Sequence, residues 1–344
     1  MYSFANDYSE GCAERILESL SRHNRDQFTG YGLDTVCTEA SELIRKAIGR
    51  EDLDVHFIPG GTPCNILAIA SALRPYEAVI CADCGHINVH ETGAIEATGH
   101  KVLTAKGKDG KITPEEIEKI FLERMEEHMV YPKMVFVSDA SEYGTIYTKK
   151  ELTDISEVCR KYGLYLYLDG ARIGSALTAK DNDLTLSDIA ELTDLFYNGG
   201  TKNGALLGEA MVIKNEELKK NFRYHLKQRG AMLAKGWIMG VQFAELFKDD
   251  LYFSLAKHAN KMAETLRTGL KGYGIPFLME TSTNQLFPIL PDEAVKKIEG
   301  KYVITFWEKY DEDHSVIRLV CSWATKKEAV DSFLQDLKEI MRKG

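Results

Sequence analysis

The sequence predicts an α/β fold in which a mostly parallel, seven-stranded sheet is covered by helices and followed by a smaller C-terminal α+β domain. Three observations predict this arrangement. Short apolar runs alternate with helical stretches up to residue 213, as in parallel sheets that are buried on both faces. After residue 215 the pattern changes to long helices. Further apolar runs then precede a final helix, which indicates a second, smaller unit.

Length, charge and cysteine content limit the possible classes of protein. The 344 residues suffice for two domains, which we place at 1–248 and 249–344, and the N-terminal segment is free to pack on the small domain. The net charge of −9 argues against nucleic acid or an anionic membrane as a partner. Seven scattered cysteines, with no basic or apolar leader at the N-terminus, predict reduced thiols in a cytoplasmic protein. The longest apolar stretch, 66–73, is too short to span a bilayer.

The individual elements follow from hydrophobic periodicity. Before the sheet, helices are predicted at 8–23 and 35–48. The strands of the sheet are predicted at 55–58, 78–81, 101–105, 134–138, 164–168, 195–197 and 210–213. The helices between them include 149–161 and 113–128, where Pro114 suits the first helical position. The small domain is predicted to contain a linking helix at 251–270, strands at 285–289, 303–307 and 316–322, and a last helix at 326–342.

One lysine lies on a glycine-rich turn between two apolar strands. Lys202 has Gly199, Gly200 and Gly204 around it, and these glycines let another molecule or another backbone approach closely. Such a lysine can form a Schiff base with a carbonyl cofactor, which requires a partly desolvated amine with a low pKa. The alternative is a lysine on an ordinary connection between strands.

An acidic residue ends the strand at 164–168. Asp169 therefore stands at the carboxyl end of a buried strand, where α/β folds bind ligands. A pyridoxal phosphate enzyme needs a carboxylate against the pyridinium nitrogen and a lysine for the Schiff base. Asp169 precedes Lys202 by 33 positions, which leaves room for one helix and one strand. Asp169 alone could be a helix cap, but the two stretches together are much more specific for this cofactor.

A third stretch could bind the phosphate of such a cofactor. Gly60, Gly61, Thr62 and Pro63 mark a strand, a turn and a helix start, with Pro63 suited to the first helical position. The free N–H groups of the first helical turn would face the ligand side of the sheet and could bind an anion. A helix cap without a ligand is the alternative.

Two cysteines and two histidines close together suggest a metal site at first sight. Cys81 and Cys84 form a CxxC pair, and His86 and His90 have helical spacing. A structural zinc site needs a further pair of ligands, and none stands out, so we predict no metal. The preferred interpretation places His86 over a flat ligand at the end of the strand at 78–81.

Two arginines could bind a substrate carboxylate. Arg172 follows Asp169 on the same turn, and Arg318 lies inside an apolar run of the small domain. A charge in a strand that alternates toward a core is unusual unless it faces a cleft. An arginine on an edge strand in solvent is the alternative for Arg318.

These motifs resemble those of the fold-type-I pyridoxal phosphate enzymes, which share the aspartate-aminotransferase-like fold, and specifically those of the threonine aldolase and β-eliminating lyase group. The resemblance covers nearly the whole chain. It rests on Asp169-Gly-Ala-Arg172, on the turn Thr201-Lys202, and on Gly61-Thr62 followed by Asn65, which match in order and spacing.

The resemblance implies a role for each of these residues. Lys202 would bind pyridoxal 5'-phosphate, and Asp169 would pair with its pyridinium nitrogen. The remaining implied roles are ring stacking by His86, phosphate binding by Gly61 and Thr62, an acidic position near the cofactor at Glu91, and α-carboxylate binding by Arg172 and Arg318. Members of the group form homodimers or homotetramers with sites completed at the subunit interface.

The chain departs from the pattern at two substrate positions. Asn6 stands where threonine aldolases commonly have a serine that helps bind the carboxylate, and it can still donate a hydrogen bond there. Glu142 stands where a histidine often lies near the substrate hydroxyl. These changes affect the substrate prediction more than the cofactor prediction.

We therefore predict an aldolase that cleaves β-hydroxy-α-amino acids such as L-threonine to glycine and an aldehyde. Its catalytic residues are predicted to be Lys202, His86 and Asp169, with His86 as the base that takes the β-hydroxyl proton. The alternatives are β-elimination, racemisation or transamination on the same fold, and a non-catalytic α/β binding module.

Overall fold

The computed structural model describes residues 1–342. The strands are β1 (Tyr2–Ser3), β2 (Asp54–Ile58), β3 (Glu77–Ala82), β4 (Val102–Ala105), β5 (Tyr131–Ser138), β6 (Tyr165–Asp169), β7 (Leu195–Gly199), β8 (Glu209–Ile213), β9 (Gln285–Leu286), β10 (Ile289–Pro291), β11 (Tyr302–Val303), β12 (Thr305–Lys309) and β13 (His314–Val320). The helices are α1 (Glu14–His23), α2 (Thr35–Ile48), α3 (Gly61–Ala72), α4 (His86–Val89), α5 (Pro114–Leu122), α6 (Lys149–Tyr162), α7 (Ile173–Leu177), α8 (Leu186–Leu192), α9 (Glu216–Lys219), α10 (Phe222–Gln228), α11 (Trp237–Phe247), α12 (Leu251–Gly272), α13 (Asp292–Glu299) and α14 (Lys327–Arg342).

The large sheet has seven strands in the order β2-β8-β7-β6-β5-β3-β4, so the predicted mostly parallel sheet is confirmed. Its β8 strand runs antiparallel to both of its neighbours, while the other pairs are parallel. Consequently β2, β3, β5, β6 and β7 all end at one edge of the sheet, and β8 begins there. Ligands of open α/β sheets bind at this edge.

Helices cover both faces of this sheet. All residues of β3, β7 and β8 are buried, which explains why these strands read as continuous apolar runs in the sequence. One core cluster, which includes Ile44 and Phe196, packs on one face, and a second, which includes Leu67 and Tyr197, packs on the other. The sheet is therefore a rigid platform for residues at its edge.

Most predicted helices are present, but three details were wrong. The helix predicted at 8–23 begins only at Glu14, because tertiary contacts hold the preceding residues in an irregular path. The helix predicted at 113–128 ends at Leu122, although it begins with a capping box and Pro114 at its first position. Pro63 is the third residue of α3 rather than the first. It is tolerated there because first-turn N–H groups have no partner within the helix.

A smaller antiparallel sheet follows α12, with the order β10-β13-β12 and β9 also paired to β13. The strand predicted at 285–289 is divided into β9 and β10 near Pro288, which has no N–H for a continuous ladder. The strand predicted at 303–307 is likewise divided into β11 and β12. A separate core packs α12 and α14 against this sheet, with Leu266 and Phe333 fully buried. The division of the chain at 248/249 remains a proposal.

The N-terminal segment lies against the small sheet. Its β1 strand pairs in parallel with β11, and Phe4 is fully buried against the rings of Tyr302 and Phe333. The chain then passes from the small sheet to the edge of the large one. This path brings residues 5–8 to the site described below. Among the described residues, no helix is both long and apolar enough to cross a membrane.

Candidate active site

A cavity of about 350 Å³ opens at the edge of the sheet where the parallel strands end. It brings together seven of the predicted site residues, which come from distant parts of the chain: Gly61, Thr62, His86, Glu142, Asp169, Arg172 and Lys202. Among the predicted site residues, Asn6 and Arg318 do not line it.

Lys202 projects from the turn between β7 and β8. Gly200 on this turn has no room for a side chain, since a Cβ would lie 2.6 Å from the carbonyl oxygen of Gly208. No hydrogen-bond partner for the Lys202 amine occurs among residues 1–342. Burial, and then the charge of Arg172, lower the pKa of Lys202 from its ordinary value, against smaller opposing effects of nearby carboxylates. A lowered pKa favours the neutral amine, which is the form that attacks a carbonyl group.

Asp169, the last residue of β6, is buried and held by three donors. Its Oδ1 accepts hydrogen bonds from the Tyr197 hydroxyl at 2.5 Å and from the Ala171 N–H at 3.0 Å. Its Oδ2 accepts one from the Asn65 amide at 3.1 Å. The carboxylate therefore has one fixed orientation at the floor of the cavity, as recognition of a pyridinium N–H requires.

A chain of hydrogen bonds connects this floor to His86. The Tyr167 hydroxyl donates to Asn65 Oδ1 at 2.7 Å, and Asn65 Nδ2 donates to Glu91 Oε1 at 2.6 Å. The same Glu91 oxygen lies 2.8 Å from His86 Nδ1. Burial is the largest effect and lowers the pKa of His86, but the hydrogen bond with Glu91 and the charges of Glu142 and Asp169 together raise the pKa overall. Because a carboxylate oxygen accepts hydrogen bonds, Nδ1 is the donor to Glu91, and Nε2 is left to interact with a ligand.

The start of α3 forms an anion cradle beside Lys202. Gly60, Gly61 and Thr62 line the cavity, and the first hydrogen bond of the helix comes from the N–H of Cys64. The N–H groups of Gly61 and Thr62 precede this bond and have no partner in the part of the chain that the structure describes, so they are available to a ligand. A Cβ at Gly61 would lie 3.1 Å from the Tyr197 hydroxyl, so a glycine fits closely here.

Arg172 already has a carboxylate partner. Its Nε and Nη2 donate to Asp7 at 2.7 and 2.9 Å, and Asn284 Nδ2 donates to the same carboxylate at 2.9 Å. The Arg172 and Asp7 side chains are 10% and 1% exposed. Burial raises the pKa of Asp7, but the charges of Arg172 and Lys202, with the hydrogen bonds from Arg172 and Asn284, together lower the pKa overall. The pair is therefore a buried, charged link between the N-terminal segment and the large sheet.

Arg318 lies on β13 and lines a neighbouring cavity of about 370 Å³, which also includes Trp307. Glu142 lines both cavities. The Arg318 guanidinium lies 5.6 Å from the Trp307 ring centroid, and Nη2 donates to the Ala5 carbonyl at 3.4 Å. Its Nε is buried and has no partner among the described residues. Burial, and then the charge of Arg172, lower the pKa of Arg318. The two guanidinium groups are therefore close enough to interact electrostatically.

Asn6 is engaged locally. Its Oδ1 accepts hydrogen bonds from the N–H of Tyr8 at 3.0 Å and from the Ser9 hydroxyl at 2.9 Å. The amide oxygen therefore caps a turn of the N-terminal segment, and the predicted contact with a substrate carboxylate remains a prediction for Asn6.

Sequence reasoning did not assign a role to four residues of the site, namely Asp7, Asn65, Tyr197 and Glu209. Asn65 was part of a matched motif, and Asp7 adjoins Asn6, so both had a local signal. Tyr197 and Glu209 reach the cavity only because β6, β7 and β8 are adjacent in the sheet.

Comparison with known proteins identifies the family of this chain. A model of the family described as "Beta-eliminating lyase" matches residues 8–292. The chain belongs to this family. It is 31% identical to a low-specificity L-threonine aldolase of Pseudomonas aeruginosa over 342 residues, which covers 98% of this chain and 97% of the relative. A low-specificity L-threonine aldolase of Escherichia coli is 24% identical over 287 residues, covering 79% of this chain and 80% of the relative.

Solved structures agree with the family. A threonine aldolase structure from Leishmania major has a TM-score of 0.98 and 49% identity, with 99% of both chains covered. An aspartate aminotransferase of Thermus thermophilus has a TM-score of 0.74 at 15% identity, covering 99% of this chain and 91% of that chain, a likeness of fold alone. The predicted aspartate-aminotransferase-like, type I fold is confirmed, and the protein is a pyridoxal phosphate-dependent lyase. The alternative of a non-catalytic binding module is therefore excluded.

The residues present fit this cofactor. A partnerless amine, an oriented carboxylate and a helix start with free N–H groups lie around one cavity. They provide one group each for the aldehyde, the ring nitrogen and the phosphate of pyridoxal 5'-phosphate.

Proposed function

We propose that this enzyme cleaves the Cα–Cβ bond of β-hydroxy-α-amino acids such as L-threonine, giving glycine and acetaldehyde. The observation that carries the proposal is the histidine and glutamate pair, His86 and Glu91, at the cavity that also holds Lys202 and Asp169. Family membership, with threonine aldolases among the full-length relatives, supports it. Bound pyridoxal phosphate supplies an electron sink for the bond that breaks.

In this proposal the cofactor is held at three points. Lys202 would bind its aldehyde, Asp169 its ring nitrogen, and the N–H groups of Gly61 and Thr62 its phosphate. Asp169 would keep the ring nitrogen protonated, because hydrogen bonds from Tyr197 and Asn65 hold its carboxylate in one orientation. The lowered pKa of Lys202 favours the neutral amine, which is the form that a bond to the cofactor aldehyde would require.

His86 is proposed to take the proton of the β-hydroxyl group. Glu91 holds Nδ1 at 2.8 Å, so Nε2 is the atom that accepts the proton. Glu142 also lines the cavity and is the rival base. His86 is favoured because Glu91 fixes its orientation and stabilises the imidazolium that forms.

Arg318 is proposed as the main contact of the α-carboxylate, with Arg172 as a second. Arg318 has a buried Nε without a partner, whereas Arg172 uses two nitrogens on Asp7. A substrate carboxylate would satisfy the buried donor of Arg318, and this would help hold the scissile bond perpendicular to the cofactor ring.

Product analysis tests the proposed reaction against its rivals on the same fold. Threonine, serine and tyrosine would be supplied separately to the purified holoenzyme. We expect acetaldehyde and glycine from threonine in equal amounts. Pyruvate and ammonia from serine, or phenol from tyrosine, without aldehyde from threonine would instead identify a β-eliminating lyase. An exchanged amino group or a racemised substrate would identify the remaining alternatives.

We also propose a homodimer or homotetramer in the cytoplasm. The large apolar side chains of Tyr31, Leu33 and Tyr224 are exposed, as expected if a second copy covers them, and all seven cysteines are free thiols. Analytical ultracentrifugation of the full chain and cell fractionation would test the two statements separately.

A further inference from the structure

Glu209 is a buried acid at the cofactor site to which the proposed reaction gives no role. It is the first residue of β8 and pairs with Ile58 of β2 and Gly199 of β7. Because β8 is antiparallel, its first residue lies at the edge where its neighbours end. Glu209 thus lies between the cradle at the start of α3 and the turn that carries Lys202.

The side chain is fixed at one oxygen. Glu209 is 4% exposed, and its Oε2 accepts a hydrogen bond from the N–H of Gly200 at 2.7 Å. The residue lines the cavity together with Gly61 and Thr201. No lysine, arginine or histidine forms an ion pair with it among the described residues. A carboxylate here would therefore be buried without a counterion, beside a cradle built for an anion.

The surrounding groups favour the neutral acid. Burial raises the pKa of Glu209 to about 7, against the opposing hydrogen bonds from Thr201 and Gly200. Lys202 lowers the pKa as well, and Asp169 raises it. The other titratable groups that act on it are neutral, with pKa values raised by burial: Cys64 of α3, Tyr167 of β6, Tyr197 of β7 and Tyr252 of α12. A dianionic phosphate nearby would favour the neutral acid further.

We propose that Glu209 is a ligand of the cofactor phosphate that acts as a neutral carboxylic acid, donating a hydrogen bond from its O–H group. Its second oxygen accepts from Gly200 and so fixes the carboxyl group in place. This inference rests on the proposed cofactor site and adds a donor to the N–H groups of the helix start. It also makes phosphate binding dependent on pH, since an ionised Glu209 would repel the phosphate.

The test compares two ligands that differ only in the phosphate. Dissociation constants of pyridoxal 5'-phosphate and of pyridoxal would be measured between pH 7 and 9 on the full chain freed of cofactor by dialysis. Effects of Lys202 act on both ligands and cancel in the ratio of the two constants, and the phosphate ester, with a second pKa of about 6, stays a dianion. We expect the preference for the phosphorylated ligand to fall with rising pH, by up to about tenfold per pH unit.

Glu209→Gln keeps the size and a donor but cannot ionise, so the preference should be retained and should no longer depend on pH. Asp139→Asn is the matched control, because Asp139 is also buried with a pKa raised to about 7 but does not line the cavity. This control should keep the pH dependence of the wild type. The wild-type measurement alone decides if a variant does not fold.

A preference that does not change with pH in the wild type would overturn the proposal, as would the same slope in Glu209→Gln. Either result would refute the role of Glu209 without contradicting the proposed reaction. A protein that takes up neither ligand would instead refute the cofactor site, and so the two failures are distinguishable.

Discussion

The cofactor end and the substrate end of the site are built differently. At the cofactor end, both oxygens of Asp169 have donors from neighbouring strands and helices of the large sheet. At the substrate end, Arg318 has a buried Nε without a partner, and Arg172 is engaged by the N-terminal segment. The Asp169 carboxylate thus has partners for both oxygens within the described residues, whereas Arg318 at the substrate end has a buried donor left for a substrate carboxylate. Such a division keeps the electrostatics of the cofactor constant while different substrates bind.

The largest effect is expected at Lys202. Lys202→Ala should abolish the visible absorbance of the bound cofactor and nearly all turnover, because no other group would bind the aldehyde. Lys180→Ala, at an exposed lysine 63% accessible, is the control and should behave as wild type. Borohydride reduction followed by peptide mapping provides the direct check. Labelling of another lysine would refute the assignment.

The proposed base is expected to come next. His86→Gln should lower acetaldehyde release from threonine by about 10²- to 10⁴-fold, the usual contribution of a general base. Glu142→Gln should have a much smaller effect, and it is the matched comparison because both residues line the cavity. Aldehyde release and cofactor absorbance would be measured for each variant. If Glu142→Gln abolishes release while His86→Gln only loosens the cofactor, the glutamate is the base.

Substitutions of the two arginines should affect ligand binding and protein stability to different extents. Arg318→Ala should weaken glycine binding by about 2–5 kcal/mol and leave cofactor absorbance intact. Arg172→Ala should in addition lower the free energy of unfolding by about 3–5 kcal/mol, because it leaves buried Asp7 without its counterion. Glycine titration and urea unfolding measure the two quantities. Unchanged glycine affinity in Arg318→Ala would show that this side chain does not bind the carboxylate.

At the floor of the cavity, Asp169→Asn should lower kcat by about 10²- to 10³-fold with little change in KM, since the lost charge acts on the transition state. The substitution keeps the size of the side chain but places two amide groups, those of residues 169 and 65, opposite each other. Steady-state kinetics with threonine check the prediction. A variant with near-normal kcat would remove Asp169 from this role.

The smallest change is expected as a shift in pH dependence. The hydrogen bond with Glu91 raises the pKa of His86 against the effect of burial, and His86 must be neutral to act as a base. Activity should therefore rise as the pH rises through this raised pKa. Glu91→Gln should move that rise to lower pH. The stability that the pair contributes is fully present below the unfolded pKa of about 6.5 and is lost as pH rises through the folded value, so the variant should lose this dependence.

A pH profile of kcat/KM and thermal unfolding across the same pH range measure both effects. Glu142→Gln serves as the comparison and should shift the profile less, because Glu142 raises the pKa of His86 through its charge alone and has no hydrogen bond to it among the described residues. An unshifted profile in Glu91→Gln would show that Glu91 does not act through His86.

The sequence was enough to predict the residues that sit on single elements. The positions of Asp169 at a strand end and of Lys202 on a glycine turn depend on neighbouring residues in the sequence. They can therefore be predicted without knowing the tertiary contacts. The partners of these residues could not be predicted in the same way. Tyr197 meets Asp169 only because β6 and β7 are neighbours. Glu209 reaches the cavity only because β8 runs backwards, and strand direction is not written in an apolar run of five residues.

The contact of Asp7 with Arg172 joins residues 165 positions apart and depends on the path of the first residues across two sheets. That path has a use in enzyme engineering. Residues 5–7 touch both arginines, through the Ala5 carbonyl at Arg318 and the Asp7 carboxylate at Arg172. A mutant library confined to residues 5–7 would change the surroundings of both arginines, and so the binding of the amino acid substrate. Both guanidinium groups would be kept. The first eight residues are therefore the place to begin directed evolution of substrate scope.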